Sequence, residues 1–164
     1  KGVMNMIKRI GILTGGGDCC GLNQTIRGIV YRSRDFNYEI FGIHDGWKGL
    51  VEGLISPITL MDVEELVDKA GTFLGSSRTN PYKIKGGVKN VLRTIKNYGL
   101  DAIIAMGGED TLGVANRLFK EEKINVVGDP KTMDNHLSGT DFTFGFDSSV
   151  TKPYPMQDEP EIIP

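Results

Sequence analysis

Two short segments carry the residues best suited to chemistry. They are residues 106–111 (Met-Gly-Gly-Glu-Asp-Thr) and residues 130–135 (Pro-Lys-Thr-Met-Asp-Asn). Each follows an apolar run that predicts a parallel strand, and the carboxyl ends of parallel strands form the ligand edge of an open α/β sheet. One crevice would then contain glycine amides, three acids, a lysine and a hydroxyl. This set suits phosphate, a divalent cation and a proton, which indicates phosphoryl transfer.

A third glycine-rich segment, residues 15–21 (Gly-Gly-Gly-Asp-Cys-Cys-Gly), lies between a predicted strand at 7–13 and a predicted helix at 22–34. Its backbone amides and the positive end of the helix dipole can face an anion. The spacing matches neither common phosphate motif, because Leu22 and Asn23 replace the Lys-Ser/Thr of a P-loop and Cys20 replaces the third glycine of a dinucleotide fingerprint. A tight turn without a ligand remains an alternative.

The rest of the chain alternates between strand and helix patterns, which predicts an α/β fold, a Rossmann-like three-layer sandwich with a mostly parallel sheet. Strands are predicted at 39–44, 54–60, 101–106 and 124–128, helices at 63–69, 87–98 and 111–122, a turn at 45–49, an ordered functional loop at 71–81, and Asp62 as an N-cap. We expect one domain over residues 1–150. Residues 151–164 hold four of the seven prolines and predict an extended or disordered tail.

The composition argues against several classes of function. The formal charge is -2 and the basic residues form no stripe, so we expect no nucleic-acid partner. No apolar run approaches the roughly 20 residues of a membrane span, and residues 1–10 lack the apolar stretch of a signal peptide, so we expect no membrane partner and a cytoplasmic location. The only cysteines, Cys19 and Cys20, are neighbours, which argues against a disulfide framework and a zinc site. Cys20 is expected to be a small buried filler with an oxidisable thiol.

The order of the motifs along residues 7–150 resembles the phosphofructokinase family. The segments that carry the resemblance are residues 15–18, 45–49, 71–78, 107–111, 130–135 and 138–147. Several motifs in the right order are far more specific than any one of them. The resemblance implies Mg²⁺-dependent phosphoryl transfer to the 1-hydroxyl of fructose 6-phosphate, giving fructose 1,6-bisphosphate in glycolysis.

The resemblance also implies roles for individual residues on the acceptor and metal side. Asp134 would take the proton from the sugar hydroxyl, and Thr132 and the Met133 backbone would hold the sugar phosphate. Glu109 stands at the family's acidic metal position and would help to hold Mg²⁺ through oxygen ligands.

On the donor side, Gly16 would give backbone contact to the donor phosphates, with Gly108 and Thr111 completing the donor site. Arg78 resembles the family arginine that stabilises the phosphoryl group in flight, with a surface salt bridge as the alternative. Lys131 would neutralise charge on the departing phosphate.

The donor itself is either pyrophosphate or ATP within this family, and Asp110 favours pyrophosphate. Family members that use ATP have glycine at this position, which leaves room for the α-phosphate, whereas a carboxylate repels that phosphate. Lys131 supports the same choice, and ATP is the runner-up. An NAD or diacylglycerol kinase relative remains possible, although it would lack the segment 130–135.

Two further expectations concern the missing half of the family's chain. The family continues into a second domain that carries most of the groups that hold fructose 6-phosphate, so a non-catalytic phosphate- or nucleotide-binding module is an alternative. Family members commonly assemble, so the resemblance implies a homo-oligomer for the full-length protein, and we expect an exposed apolar surface on the last strand of this chain.

Three residues depart from the family pattern, which has proline at Cys20, aspartate at His136 and a small apolar residue at Asp129. His136 is expected to weaken metal binding or to change its pH dependence. Asp129 is expected to raise the pKa of a carboxylate close to it.

Overall fold

A computed structural model describes residues 8–132, 135 and 139–147. The strands in this part of the chain are β1 (Arg9–Thr14), β2 (Glu39–Ile43), β3 (Ile55–Ile58), β4 (Ala102–Gly107) and β5 (Val126–Pro130). The α-helices are α1 (Leu22–Ser33), α2 (Trp47–Glu52), α3 (Leu60–Val63), α4 (Gly87–Tyr98) and α5 (Glu109–Glu122). Met133, Asp134, His136 and the predicted tail lie outside the described residues.

The strands form one sheet in the order β3-β2-β1-β4-β5. β1 pairs in parallel with β2 and with β4, and β4 pairs in parallel with β5. Only β3 is antiparallel, against β2. The predicted α/β class and the mostly parallel sheet are therefore confirmed, and the carboxyl ends of β1, β4 and β5 lie side by side.

Helices cover both faces of the sheet. Successive strand residues point to opposite faces, so Ile12 and Leu13, both fully buried, belong to different cores. The Leu13 core packs against α2, α4 and α5, and the Ile12 core packs against α1 and α3. The predicted three-layer arrangement is confirmed.

The predicted turn at 45–49 is confirmed at Asp45 and Gly46 and wrong from Trp47 onward, because α2 begins there. Gly49 lies within this helix, and a Cβ atom there would stand 2.1 Å from the carbonyl oxygen of His44. The glycine allows α2 to pack directly on the end of β2. It was mistaken for a turn residue because close packing and turn formation favour the same residue type.

Asp62 is not an N-cap, contrary to the prediction. Thr59 is the N-cap of α3, and the Asp62 carboxylate accepts hydrogen bonds from the Thr59 amide at 2.7 Å and hydroxyl at 2.6 Å. These bonds, the one from the Thr59 hydroxyl first, hold the pKa of Asp62 below its ordinary value. This is the Glu/Asp side of a capping box, so the helix begins three residues earlier and also ends earlier than predicted.

The other predicted elements agree with the structure to within about two residues, and the helix at 87–98 agrees at both ends. β5 is an edge strand on which Val127 is 62% exposed, as expected for the last strand. Within the residues that the structure describes, no helix has the length and apolar character needed to cross a membrane.

Candidate functional site

A cleft of about 720 Å³ lies at the carboxyl edge of the sheet. The turn after β1, the turn after β4 and the loop at 71–80 meet around it. Six of the predicted site residues line it, namely Gly16, Arg78, Gly108, Glu109, Asp110 and Thr111. A smaller groove of about 340 Å³ between α1 and the β2–β3 pair has mostly apolar walls and contains none of them.

The turn after β1 is held to its neighbours by backbone hydrogen bonds. The Gly15 amide donates to the Met106 carbonyl of β4 at 2.9 Å, and the Gly16 amide donates to the Ser77 carbonyl at 3.3 Å. The Ser76 hydroxyl donates to the Gly16 carbonyl at 2.7 Å. The glycine turn is therefore fixed between β4 on one side and the loop at 71–80 on the other.

The loop at 71–80 forms one wall of the cleft and depends on a buried asparagine. Asn23, at the start of α1 and 3% exposed, donates through Nδ2 to the carbonyls of Lys69 at 3.0 Å and Ala70 at 3.4 Å. Its Oδ1 accepts the Phe73 amide at 2.6 Å. One side chain thus satisfies three backbone groups of a segment without regular secondary structure.

Thr14, the last residue of β1, holds the next part of this loop. Its hydroxyl lies 2.8 Å from the Thr72 hydroxyl and donates to the Gly75 carbonyl at 2.7 Å. These bonds fix the chain just before Arg78. The Arg78 side chain lines the cleft, and in the described part of the chain it has no carboxylate within salt-bridge distance.

The opposite wall is the first turn of α5, which is held by packing. The Thr111 side chain is buried against the Cα atoms of two glycines, since a Cβ atom would stand 2.4 Å from Thr111 Oγ1 at Gly15 and 2.6 Å at Gly107. The indole Nε1–H of Trp47 donates to the Thr111 carbonyl at 3.3 Å. Thr111 therefore joins the two glycine turns.

Glu109 and Asp110 stand in this first turn with exposed side chains that line the cleft. The N-cap is Gly108, which provides no side-chain acceptor for the helix amides. The amides and the helix dipole can therefore receive an anion. Acids in a first helical turn also stabilise the helix by themselves, so their presence alone does not identify a metal site.

Lys131 follows β5 and is only 5% exposed despite its charge. Its amide donates to the Gly107 carbonyl at 3.0 Å, and its ammonium donates to the Gly17 carbonyl in the turn after β1. The positive charge therefore lies at the glycine turn after β1. Thr132 is also buried, and its carbonyl accepts the Thr143 hydroxyl.

Two departures from the family pattern are visible here. Burial raises the pKa of Asp129 itself. The expectation that Cys20 is buried was wrong, because Cys20 is exposed and Cys19 is the buried thiol. Burial raises the pKa of Cys19 to about 11, and its Sγ lies 3.7 Å from the Phe144 carbonyl.

Of the loop that forms one wall of the cleft, sequence reasoning singled out Arg78 and missed the other polar residues of the cleft. Asn80 and Lys83 line the cleft together with Ser77 and Thr79, and the Ser76 hydroxyl donates to the Gly16 carbonyl. The Asn80 Oδ1 accepts the Tyr82 amide at 3.0 Å, and the Arg117 guanidinium stacks on the Tyr82 ring at 3.5 Å. Only the glycine and hydroxyl content of the loop could have indicated these residues.

Comparison with known proteins gives concordant matches. The family described as Phosphofructokinase matches residues 9–159. The pyrophosphate–fructose 6-phosphate 1-phosphotransferase of Amycolatopsis methanolica is 53% identical over 143 residues, which are 87% of this chain and 42% of that protein. The protein of Streptomyces coelicolor named ATP-dependent 6-phosphofructokinase 3 is 47% identical over 144 residues, with the same two coverages.

A solved structure matches as well. The phosphofructokinase of Pichia pastoris in the T-state superposes with a TM-score of 0.80 at 29% identity, over 92% of this chain and 19% of that one. The chain thus spans about 42% of the length of the curated relatives it matches. The cleft and all its lining residues lie within the matched part.

Proposed function

The chain belongs to the phosphofructokinase family, and we propose that its cleft binds pyrophosphate as the phosphoryl donor for the 1-hydroxyl of fructose 6-phosphate. The products are fructose 1,6-bisphosphate and phosphate. The observation that carries the choice of donor is the Asp110 carboxylate, which is exposed in the first turn of α5 and lines the cleft.

Asp110 acts on the donor by charge. It follows Glu109 directly and lines the cleft together with Gly16 and Gly108 of the two glycine turns. A nucleoside triphosphate would bring a third phosphate group towards this carboxylate. Like charges at close range repel each other. Pyrophosphate has only two phosphate groups and avoids that contact.

Two cations and the glycine turns support transfer of the phosphoryl group. Arg78 lines the cleft from the loop side, and the Lys131 ammonium is fixed at the glycine turn. Gly16, Gly108 and Thr111 complete the donor site. Charge that develops on the phosphate oxygens is stabilised best by groups that are already in place before the reaction.

The residues present also fit Mg²⁺. Proteins hold this ion through one or two carboxylates together with substrate phosphates and water. Glu109 and Asp110 provide two exposed carboxylates in the cleft, and residues 8–132, 135 and 139–147 contain no cluster of three or more acidic, histidine or cysteine ligands. Glu109 would therefore share the ion with the donor, and the bound ion would neutralise phosphate charge.

On the acceptor side, we propose that Asp134 takes the proton of the sugar 1-hydroxyl and that Thr132 and Met133 hold the sugar phosphate. Thr132 follows Lys131 in the chain, so an acceptor bound there would lie next to the donor turn. Proximity of the two substrates is the main requirement of in-line transfer.

Binding of the two donors to the 164-residue chain tests the proposal. Calorimetric titration with pyrophosphate and with ATP, each with Mg²⁺, should show tighter binding of pyrophosphate. Asp110→Asn and Asp110→Gly should tighten ATP binding about tenfold, which corresponds to about 1.4 kcal/mol. Asp35→Asn removes an exposed carboxylate far from the cleft and should change neither affinity. Preference of the unmodified chain for ATP, or unchanged ATP affinity in both Asp110 variants, would contradict the proposal.

The comparisons also support two alternative functions. The 47% identity to a protein named as ATP-dependent favours ATP as the second candidate donor. The 42% coverage favours a donor-binding unit that does not turn over alone. A coupled assay with fructose 6-phosphate distinguishes them, because turnover with pyrophosphate supports the enzyme, turnover with ATP supports the other donor, and binding without turnover supports the binding unit.

A further inference from the structure

The turn after β1 offers fewer free amides than its three glycines suggest. The Gly15 amide is used by the Met106 carbonyl, and the Gly16 amide is used by the Ser77 carbonyl. The Gly17 amide has no hydrogen-bond partner among the described residues, and Gly17 is exposed and lines the cleft. Of the two residues of this turn that line the cleft, Gly16 and Gly17, only Gly17 has an amide without an acceptor in the described part of the chain, so this amide can receive a ligand oxygen.

Ser76 determines which way this amide points. Its hydroxyl donates to the Gly16 carbonyl at 2.7 Å. The Gly16–Gly17 peptide bond is trans and planar, so its N–H points opposite to its C=O. A carbonyl directed towards Ser76 therefore directs the Gly17 N–H away from the Ser76 hydroxyl.

The next peptide group is held by a different donor. The Gly17 carbonyl accepts the ammonium of Lys131, which is buried against the turn. Two successive carbonyls are thus bound by side chains from two distant parts of the sequence. Rotation of the Gly16–Gly17 peptide would break the bond to Ser76, so the amide is held in one orientation before any ligand arrives.

We infer that the Gly17 N–H receives a phosphate oxygen of the donor and that Ser76 is a positioning residue that holds this amide in place. The inference rests on the proposed function, since it assumes that the donor is bound in this cleft. It assigns the backbone contact of the turn to Gly17, next to the Gly16 position implied by the family resemblance.

Titration of the ¹⁵N-labelled 164-residue chain with pyrophosphate and Mg²⁺ tests the inference. The Gly17 amide resonance should shift strongly on binding. Ser76→Ala should raise the Kd for pyrophosphate about tenfold with little change in melting temperature, as expected when one positioned charge-assisted hydrogen bond weakens. Ser76→Thr keeps the hydroxyl and should restore the affinity.

Ser33→Ala is the matched control. The Ser33 hydroxyl also donates to a backbone carbonyl, that of Val30, at 2.7 Å, but at the end of α1 away from the cleft. This variant should bind pyrophosphate as the unmodified chain does.

The outcomes separate the two claims. Unchanged affinity in Ser76→Ala, or a Gly17 resonance that does not move while pyrophosphate binds, would overturn the inference and leave the proposed function standing. Absence of pyrophosphate binding by the unmodified chain would overturn both. If Ser76→Ala does not fold, the Gly17 resonance of the unmodified chain still decides the matter.

Discussion

The two ends of the sheet differ in whether their backbone amides have hydrogen-bond acceptors within the protein. At the amino end, the Asp101 carboxylate accepts the amides of Lys8 at 2.8 Å and Arg9 at 2.9 Å. At the carboxyl end, the Gly17 amide has no acceptor within the described residues, and the N-cap of α5 has no side-chain hydrogen bond. The protein supplies its own anion at one end, and at the other end the unbonded amides are those that the proposed function assigns to a phosphate.

The two ends also differ in the burial of their polar contacts. The bonds of Asp101, and the 2.7 Å ion pair of Arg9 with Glu39, are exposed to solvent. Those of Asn23 and Thr14 at the carboxyl end belong to side chains that are at least 97% buried. Exposed pairs contribute little to stability, whereas a buried polar group that loses its partner is costly. The carboxyl end, which contains the proposed binding cleft, should therefore be the end that tolerates substitution least.

Matched asparagine truncations test this difference most strongly. Asn23→Ala should lower the free energy of unfolding by about 2 to 3 kcal/mol, because three backbone groups lose their partner at about 1 kcal/mol each. Asn125→Ala at the amino end removes one exposed bond to the Asp101 carbonyl and should cost less than about 0.5 kcal/mol. Urea unfolding of both variants measures this, and equal losses would contradict the comparison.

Overpacking of the carboxyl end should have the next largest effect. Gly15→Ala should cost about 1 to 3 kcal/mol, because the new methyl group would collide with the Thr111 side chain. Thr111→Ala in the same chain removes the colliding atoms and should recover most of the loss. Gly113→Ala, on the open face of α5 with no atom within 4 Å, should instead stabilise the chain by up to about 1 kcal/mol. Thermal unfolding of the three variants measures the order, and a Gly15→Ala loss that Thr111→Ala leaves unchanged would show that another contact is responsible.

The amino end should respond to pH. Hydrogen bonds from the Arg9 and Lys8 amides hold the pKa of Asp101 below its ordinary value of 3.8. Its stabilising contribution is therefore fully present above the ordinary value and is lost as pH falls through the lowered one. Asp101→Asn should be less stable than the unmodified chain at pH 7, by less than about 1 kcal/mol because the group is exposed, and equally stable in strong acid. Unfolding curves across the acid range measure the difference, and a constant gap at every pH would exclude this linkage.

The smallest expected effect lies within the carboxyl end and compares its two thiols. Cys20 is exposed, whereas Cys19 is buried with a pKa of about 11. A thiol reagent at pH 8 should modify one cysteine quickly and the second only on unfolding, because the reactive form is the thiolate. Cys20→Ser should remove the fast reaction, and persistence of that reaction would show that the turn opens in the folded protein.

The same contrast explains which features the sequence could predict. The strands, α4, α5 and the glycine turns follow from local apolar spacing and from the rule that parallel sheets bind ligands at their carboxyl edge. The placement of Gly16, Glu109 and Asp110 around one cleft followed from that rule. The helix that begins at Trp47 was missed because Gly49 is needed for close packing against the His44 carbonyl. The spacing of residues along the sequence does not show this contact.

The contacts that order the loop at 71–80 could not be predicted from local spacing for a related reason. Asn23 and Ser76 act on residues 46 to 60 positions away in the sequence. Their partners are backbone carbonyls and amides, which almost every residue has, so the sequence does not show which of them are bonded. The glycine and hydroxyl content of the loop predicted that it is ordered, but not which side chains order it.

Trp47 gives this chain a built-in optical reporter. It is the single tryptophan, it is 2% exposed, and its indole donates to the Thr111 carbonyl in the first turn of α5. Indole emission depends on the polarity around the ring and on the hydrogen bond of its N–H. We therefore expect a ligand that binds to the amides of that turn to change the fluorescence of the unlabelled protein.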